Sequence, residues 1–315
     1  MTISVQDVSP RQLQYVVAVA ETLGFHKAAE RCHVSQPTLS AQVKQLEDVL
    51  GVQLFERDRR RVLLTAAGAT VVAHARRVLL EIDDMIAAAK ELTEPHSGTY
   101  RIGVIPTIAP YLLPDVVPAV RTHFPKLQLV FREQKTEAII ADLREGRLDA
   151  GLLALEADIG DWASGRIASD PFVVALPKGH RLARKKRVTP SELEDEKVLL
   201  LDEGHCFRAQ ALSVCERAGT KETELRATSL STLAQMVSSG SGITLLPQIA
   251  VAVENRRGQL EIRPFTSPVP RRTIALIWRA QSPFAATFRE LSDVFRSAVQ
   301  AQSVAASAEA QQIAE

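Results

Sequence analysis

Apolar side chains recur at helical spacing in three segments near the start of the chain. Residues three and four apart predict a first helix: Leu13, Val16, Val17 and Ala20. Residues 25–32 predict a second, short helix. A third begins after Ser35, a favourable N-cap, with Pro37 in its first turn, and ends at Gly51. The second and third helices are joined by only a short turn, which is typical of a helix-turn-helix.

The outer face of the third predicted helix is polar. Hydroxyl, amide and amine groups at such a position can reach base edges and phosphates of double-stranded DNA, and the predicted contacts are Ser35, Gln36, Pro37, Thr38, Ser40 and Lys44. Arg57, with arginines at positions 59–61, is expected to contact phosphates ahead of a wing strand at residues 62–65. The alternative is a three-helix domain with a solvated arginine loop, because residues 1–65 hold eight basic and seven acidic side chains.

A heptad pattern follows the predicted wing. Its apolar positions alternate in steps of four and three: Val71, Ala75, Val78, Ile82, Met85, Ala89 and Leu92. This spacing is typical of a coiled-coil seam and predicts a homodimer joined through one long helix. A helix packed only on its own domain is the alternative, although its apolar stripe would usually be broader. Pro95 and Gly98 end the helix.

From Tyr100 onward, short apolar runs alternate with amphipathic segments. The predicted strands are residues 100–105, 127–131, 149–153, 172–176, 198–201, 243–246 and 273–278. The predicted helices are residues 110–124, 137–145, 207–218, 229–239 and 284–299. This alternation predicts two α/β lobes built on parallel strands, with a cleft where the strands end. Residues 301–315 hold few bulky apolar side chains and are expected to fray.

Composition narrows the function only slightly. A chain of 315 residues is expected to form two or three domains, and a net charge of +1 restricts any DNA-binding surface to a local patch. Residues 1–10 lack the features of a signal peptide and no apolar stretch is long enough for a membrane span, so we expect a cytoplasmic protein. Stable disulfides are rare in that compartment. We assign no cofactor and no metal.

Cys206 and Cys215 follow the predicted strand at residues 198–201. Cys206 would begin a helix, whose positive end favours thiolate over thiol together with neighbouring His205 and Arg208. On an unbroken helix the two cysteine Cα atoms would lie about 13 Å apart on opposite faces. A disulfide would then require the helix to unwind, since it needs Cα atoms within about 7 Å. The alternative is that both are inert core cysteines, as we interpret Cys32.

Other polar candidates lie where predicted strands end or begin. Thr107 and Thr136 follow the first and second strands of the C-terminal region, His205 follows a later one, and Arg272 precedes another. Because ligands in open sheets bind beyond the strand ends, these side chains are candidates for the cleft. The alternative for each threonine is an ordinary helix cap or turn.

Several runs of the sequence resemble those of a known protein family. The runs AAERCHVSQPTLS (residues 28–40), LFER (54–57) and LTAAG (64–68) resemble the winged helix-turn-helix of LysR-type transcriptional regulators. The runs IPTIAPYLLP (105–114), GHC (204–206) and GSGITLLP (240–247) are similar to members of that family that sense hydrogen peroxide. The similarity extends over residues 9–299.

The resemblance implies an all-α winged helix-turn-helix domain and a linker helix, followed by an α/β two-lobed regulatory domain that resembles the type II periplasmic-binding-protein fold. The expected boundaries are 1–66 for DNA binding, 67–95 for the linker, 96–300 for regulation and 301–315 for a tail. It further implies a homotetramer, with operator DNA, RNA polymerase and a cellular thiol reductant as partners, and no membrane.

By the same resemblance, Cys206 is the peroxidatic cysteine and Cys215 the resolving one. The pocket for hydrogen peroxide is implied to contain Thr107, Thr136, His205 and Arg272, with Arg272 beside the thiolate. The family often has an acidic residue where this chain has Ala209, and Gln210 is expected to supply a polar contact instead. The implied protein is a transcription factor and not an enzyme. The alternative is a LysR-type regulator that binds an organic metabolite in the cleft, with inert cysteines.

Overall fold

The computed structural model describes residues 4–57, 62–94, 96–156, 160–218 and 221–312. The chain divides into two compact units, Met1–Thr93 and Glu94–Glu315. Within the described ranges, no helix combines the length and the apolar character needed to cross a membrane.

The first unit is mainly helical. Its elements are α1 (Pro10–Thr22), α2 (Phe25–Arg31), α3 (Gln36–Leu50), β1 (Phe55–Arg57), β2 (Val62–Leu64) and α4 (Ala66–Thr93). The three predicted helices are therefore confirmed. Ser35 caps α3 by accepting a hydrogen bond from the Thr38 amide at 3.3 Å, and Gly51 ends the helix with a φ of 69°. Strands β1 and β2 pair antiparallel as a wing.

Helix α4 leaves apolar side chains in solvent. Val72 and Ala75, near its start, are buried. Farther along, Val78, Met85 and Leu92 are 46%, 65% and 87% exposed. These three residues belong to the heptad pattern, so the predicted seam faces away from the core of its own unit from Val78 onward, whereas the earlier heptad position Ala75 is buried.

The second unit is an α/β domain, as the sequence predicts. Its strands are β3 (Gly98–Val104), β4 (Leu127–Glu133), β5 (Ala150–Ala154), β6 (Ala163–Pro177), β7 (Lys197–Leu201), β8 (Lys221–Ala227), β9 (Thr244–Pro247), β10 (Leu260–Pro264) and β11 (Arg271–Trp278). Its helices are α5 (Ala109–His123), α6 (Thr136–Arg144), α7 (Cys206–Ala218), α8 (Leu230–Ser238), α9 (Gln248–Glu254) and α10 (Ala285–Gln312).

Two lobes share the long strand β6. Strand order is β10-β6-β11-β5-β3-β4, with β9 also pairing with β6. The first half of β6 pairs with β11, and its second half pairs with β9 and β10. One apolar core, lobe I, surrounds β3, β5 and β11, and a second, lobe II, surrounds β7, β9 and the second half of β6. The chain therefore crosses between the lobes within β6 near Pro171, and again just before β11 near Pro270.

Three expectations need correction. The sheet is mixed: β3 is parallel to β4 and β5, but β6 pairs antiparallel with β9, β10 and β11. Strands β8 and β10 and helix α9 were not predicted, because their short sequences show no clear periodicity. Helix α10 continues to Gln312 where fraying was expected, and its alanine-rich sequence has high helix propensity.

Candidate functional site

A tight turn places Cys206 at the boundary between the lobes. Strand β7 ends at Leu201, and α7 begins at Cys206. Between them Gly204 has a φ of 83°, in the left-handed region that glycine adopts without steric penalty. The prediction that Cys206 begins a helix is confirmed, so its side chain lies near the amide groups at the positive end of α7.

The two cysteines of α7 pack into different cores. Cys206 is half-buried and packs against the core of lobe I, whereas Cys215 is 3% exposed within the core of lobe II. All three cysteines are thiols in this structure. Helix α7 is continuous between them, so their Cα atoms are separated by about 13 Å on its two faces. The prediction that an unbroken helix separates the two cysteines is confirmed.

Arg272 is fully buried and organises the lobe I side of the site. Its Nε donates to Asp170 Oδ2 at 3.0 Å, and its Nη1 and Nη2 donate to Thr107 Oγ1 at 2.7 Å and to the Thr107 carbonyl at 2.8 Å. Its guanidinium also lies 5.5 Å from the centre of the Phe207 ring. Burial raises the pKa of Asp170, although the charge of Arg272 opposes that shift. The hydrogen bonds of Arg272 thus reach Thr107 and not the Cys206 sulfur.

Two buried polar side chains near Cys206 lack hydrogen-bond partners among the described residues. Thr136 begins α6, is 8% exposed, and its Oγ1 makes no hydrogen bond. Gln210 lies one helical turn after Cys206, and neither its Oε1 nor its Nε2 is paired. Such groups usually find a partner when buried, so both can bind a small polar molecule.

His205 is buried beside the thiol. Burial lowers the pKa of His205, the positive charge of Lys135 lowers it further, and Asp202 has a weaker opposite effect. The imidazole is therefore neutral at pH 7. The lowered pKa of His205 opposes the prediction that this residue contributes positive charge at the thiol, because desolvation disfavours the imidazolium.

A small pocket brings four of the predicted residues together. In this structure it has no room for a water molecule, and it is lined by Thr107, Thr136, His205 and Cys206, together with Lys135 and backbone neighbours. We call this space the small pocket. It adjoins an open cleft of about 710 Å³ that Gln210 also lines. Of the other predicted residues, Arg272 lies behind Thr107, and Cys215 lies apart in the core of lobe II.

The predicted DNA-binding residues lie on an accessible surface of α3. Ser35, Gln36, Pro37, Thr38 and Lys44 are exposed, and Ser40 is partly buried. Ser35 and Thr38 also hydrogen-bond each other at 2.7 Å. Arg57 ends β1, but its side chain and residues 58–61, including the predicted arginines at 59–61, lie outside the described residues. Cys32 is partly buried and packs on the core of this unit, and burial raises its pKa.

Two residues of the site were not selected from the sequence. Asp170 lies on β6 in a region with no apolar alternation, so the sequence carries no signal for its ion pair with Arg272. Lys135 directly precedes Thr136, and its Nζ donates to the Glu203 carbonyl at 2.6 Å. That contact joins lobe I to the turn before Cys206 and depends on the tertiary fold.

Family models match both parts of the chain. The model for the LysR substrate binding domain matches residues 93–300. The model for the bacterial regulatory helix-turn-helix protein of the lysR family matches residues 10–69.

Several proteins are similar over nearly the whole length. The hydrogen peroxide-inducible genes activator of Pectobacterium carotovorum subsp. carotovorum is 44% identical over 291 residues, covering 92% of this chain and 96% of the relative. A full-length OxyR variant from Pseudomonas aeruginosa has a TM-score of 0.75 and 38% identity, covering 92% of this chain and 95% of that structure. A hydrogen-peroxide-bound OxyR mutant from Corynebacterium glutamicum has a TM-score of 0.66 and 32% identity, covering 96% of each chain.

Proposed function

The chain belongs to the LysR family of bacterial transcriptional regulators, and on that premise we propose that it senses hydrogen peroxide through Cys206 and controls oxidative-stress genes. One observation carries the proposal. Cys206 begins α7 in a small pocket with buried polar side chains, and Cys215 lies on the same helix. Relatives named as hydrogen peroxide-inducible activators support the choice of oxidant.

The first step is oxidation of the Cys206 thiolate. One peroxide oxygen forms a bond to sulfur as the O–O bond breaks, and the other oxygen leaves as hydroxide and takes up a proton to become water. Thr136 Oγ1 makes no hydrogen bond with the described protein, and Thr107 can donate its own proton while its oxygen accepts from Arg272. Together with Gln210, they orient the peroxide, and the unprotonated nitrogen of neutral His205 accepts a hydrogen bond from it.

The second step joins the two cysteines. Cys215 attacks the sulfenic sulfur of Cys206, the S–O bond breaks, and hydroxide leaves as the disulfide forms. Since the two cysteine Cα atoms lie about 13 Å apart on a continuous α7, the helix must unwind before the bond closes. The rearranged lobe II then alters contacts between subunits and the placement of the DNA-binding units.

The assembly and partners follow from the same proposal. The seam of α4 joins two subunits, and two dimers form a homotetramer on operator DNA, where the regulator contacts RNA polymerase. In the cytoplasm a cellular thiol reductant supplies the two electrons that restore both thiols. The predicted DNA contacts on α3 and Arg57 remain part of this proposal.

Thiol mapping tests the redox steps. The reduced protein and its Cys215→Ser variant are treated with one equivalent of hydrogen peroxide and analysed by mass spectrometry. We expect a disulfide between Cys206 and Cys215 in the first and a sulfenic acid at Cys206 in the second, with Cys32→Ser behaving as wild type. Reduced thiols throughout would contradict peroxide sensing and favour an organic effector in the 710 Å³ cleft.

Salt dependence tests the DNA contacts. Lys44 is exposed on α3. If it binds a phosphate, Lys44→Ala should flatten the slope of log affinity against log salt by about one unit for each engaged subunit, because fewer counterions are released. Fluorescence anisotropy with a nonspecific duplex measures the slope, and Lys90→Ala on α4 is the control. An unchanged slope would remove Lys44 from the phosphate contacts.

A further inference from the structure

Lys135 holds its ammonium group at the small pocket. It lies directly before α6 in lobe I, and its side chain is part of the pocket wall beside Cys206. Its Nζ donates to the Glu203 carbonyl at 2.6 Å. Glu203 belongs to the turn that leads into Cys206, so the hydrogen bond ties the ammonium to this turn. A charge-assisted bond of this length is stronger than a neutral one.

Lys135 also packs against this turn. A Cβ atom at Gly204 would lie 2.9 Å from Lys135 Cδ and 3.0 Å from Nζ, so the lysine side chain would have to shift to accommodate it. Glycine is favoured at this position by its φ of 83°.

Lys135 carries the positive charge of the small pocket. Among the described side chains that line this pocket, His205 is neutral at pH 7 and Lys135 alone is a cation. Arg272, behind Thr107, is paired with Asp170 at 3.0 Å. Other charged residues lie near His205. They are Asp202 and Glu203 in the turn, Arg208 on α7, and Glu137, Glu156 and Arg271 along the open cleft.

We propose that Lys135 is a positioning residue for peroxide reduction: anchored by the Glu203 carbonyl, it stabilises the Cys206 thiolate and the hydroxide that leaves the peroxide. This inference rests on the proposed function. The ammonium keeps its protons in the step, and the hydroxide takes its proton from solvent. Lys135 is exposed, so water screens part of its effect.

Four variants in the Cys215→Ser background test the inference, because oxidation then stops at the sulfenic acid. Lys135→Arg keeps charge and donor, Lys135→Gln keeps a donor only, and Lys135→Met removes both. Lys126→Met, an exposed lysine before β4, is the control. We expect the Gln and Met variants to slow Cys206 oxidation about threefold to tenfold at low salt, as the loss of one partly screened charge implies. Arg should restore the rate.

Two further measurements separate charge from folding. The pH dependence of oxidation should move to higher pH in the Gln and Met variants, and the pKa of His205 followed by NMR should rise, since a positive neighbour is lost. Neither measurement would change if Lys135 only supported the fold. Wild-type rates and pH profiles in both variants would overturn the inference.

Alkylation by iodoacetamide distinguishes failure of this inference from failure of the proposed function. It reports thiolate reactivity at Cys206 without peroxide. Slower alkylation of Lys135→Met, in a protein that peroxide does not oxidise, would support the charge effect on the thiolate and refute peroxide sensing. Equal alkylation of wild type and Lys135→Met would refute stabilisation of the thiolate by Lys135.

Discussion

Thr107 and Thr136 are buried hydroxyls with different surroundings. Thr107 accepts a hydrogen bond from Arg272 at 2.7 Å, whereas Thr136 Oγ1 has no partner in the described protein. Thr107→Val should lower the free energy of unfolding by about 1–3 kcal/mol, because a buried guanidinium N–H loses its acceptor. Thr136→Val should leave stability unchanged or raise it by about 1 kcal/mol. Urea unfolding measures both changes.

The Thr107→Val and Thr136→Val variants also distinguish an effect on stability from an effect on the rate of Cys206 oxidation. Both valine variants should oxidise Cys206 more slowly, since each removes a hydroxyl that orients peroxide. Stopped-flow oxidation in the Cys215→Ser background measures this rate. A Thr136→Val protein that is stable and reacts at the wild-type rate would remove Thr136 from the peroxide site.

His205 links stability to pH. Its folded pKa is lowered below the unfolded value of about 6.5, so the unfolded chain binds the proton more readily between the two values. The stability that His205 contributes is complete above about pH 7 and falls as pH decreases toward the folded pKa. His205→Gln should abolish this component. The stability difference between wild type and variant, measured by urea unfolding, should therefore shrink from pH 7.5 to pH 5.5.

The control for that experiment is Ser213→Ala, because this exposed position carries no titratable group. Its stability difference from wild type should be independent of pH over the same range. A pH-independent difference for His205→Gln as well would show that His205 titrates alike in both states.

The site residues that follow strands could be predicted from the sequence, but the residues with which buried charged groups pair could not. Thr107, Thr136 and His205 follow apolar runs, and the ends of neighbouring strands and the start of α7 bring them together. The roles of Asp170 and Lys135 could not be predicted from the sequence. Asp170 pairs with Arg272 and Lys135 donates to Glu203, and both partners are distant in sequence. The lowered pKa of His205 likewise results from its burial, which the sequence does not specify.

Among the elements, helix α7 must break for the proposed disulfide to form. Ser213 is an exposed position between the two cysteines. Alanine there favours the helix and glycine disfavours it, with a difference of about 1 kcal/mol between the two. Ser213→Gly should therefore shift the reduction potential of the disulfide about 20 mV more negative than Ser213→Ala, because the reduced helical form loses stability.

Redox titration against glutathione measures these potentials, and sulfenic acid formation at Cys206 in the Cys215→Ser background is the internal control. That first step precedes unwinding, so both variants should carry it out at the wild-type rate. Equal potentials for the glycine and alanine variants would contradict unwinding of α7 between the cysteines.

Elements with strong periodicity were predicted within a few residues, and the exceptions have physical causes. The first half of β6 contains Gly165 and ends with Pro171, and β8 is mostly polar, so neither shows the apolar run of a buried strand. Both are nevertheless strands because their backbone groups pair with β11 and β7. The alternation of strands and helices along the sequence also could not predict that β6 and β11 pair antiparallel. Their direction depends on how the chain crosses between the two lobes.

At the scale of the whole molecule, the seam of α4 is the feature that predicts assembly. Met85 and Leu92 are 65% and 87% exposed, although both belong to the heptad pattern. Burial of a methionine stabilises an interface by about 1.5–3 kcal/mol, and a two-fold dimer contains it twice. Met85→Glu should therefore raise the dimer dissociation constant by a factor of about 10² to 10⁴. Sedimentation equilibrium measures this change.

Because Met85 is exposed in the single chain, its substitution tests the dimer contact without disturbing the core of the subunit. Glutamate at this site removes no packing from the subunit's own core, so the thermal unfolding of α4 followed by circular dichroism should be nearly unchanged. Glu81→Gln on the same helix is the matched control. Loss of the dimer should also weaken binding to a duplex with two half-sites much more than to a single half-site, because the two DNA-binding units are no longer held together. A Met85→Glu protein that sediments as wild type would place the dimer contact elsewhere than the α4 seam.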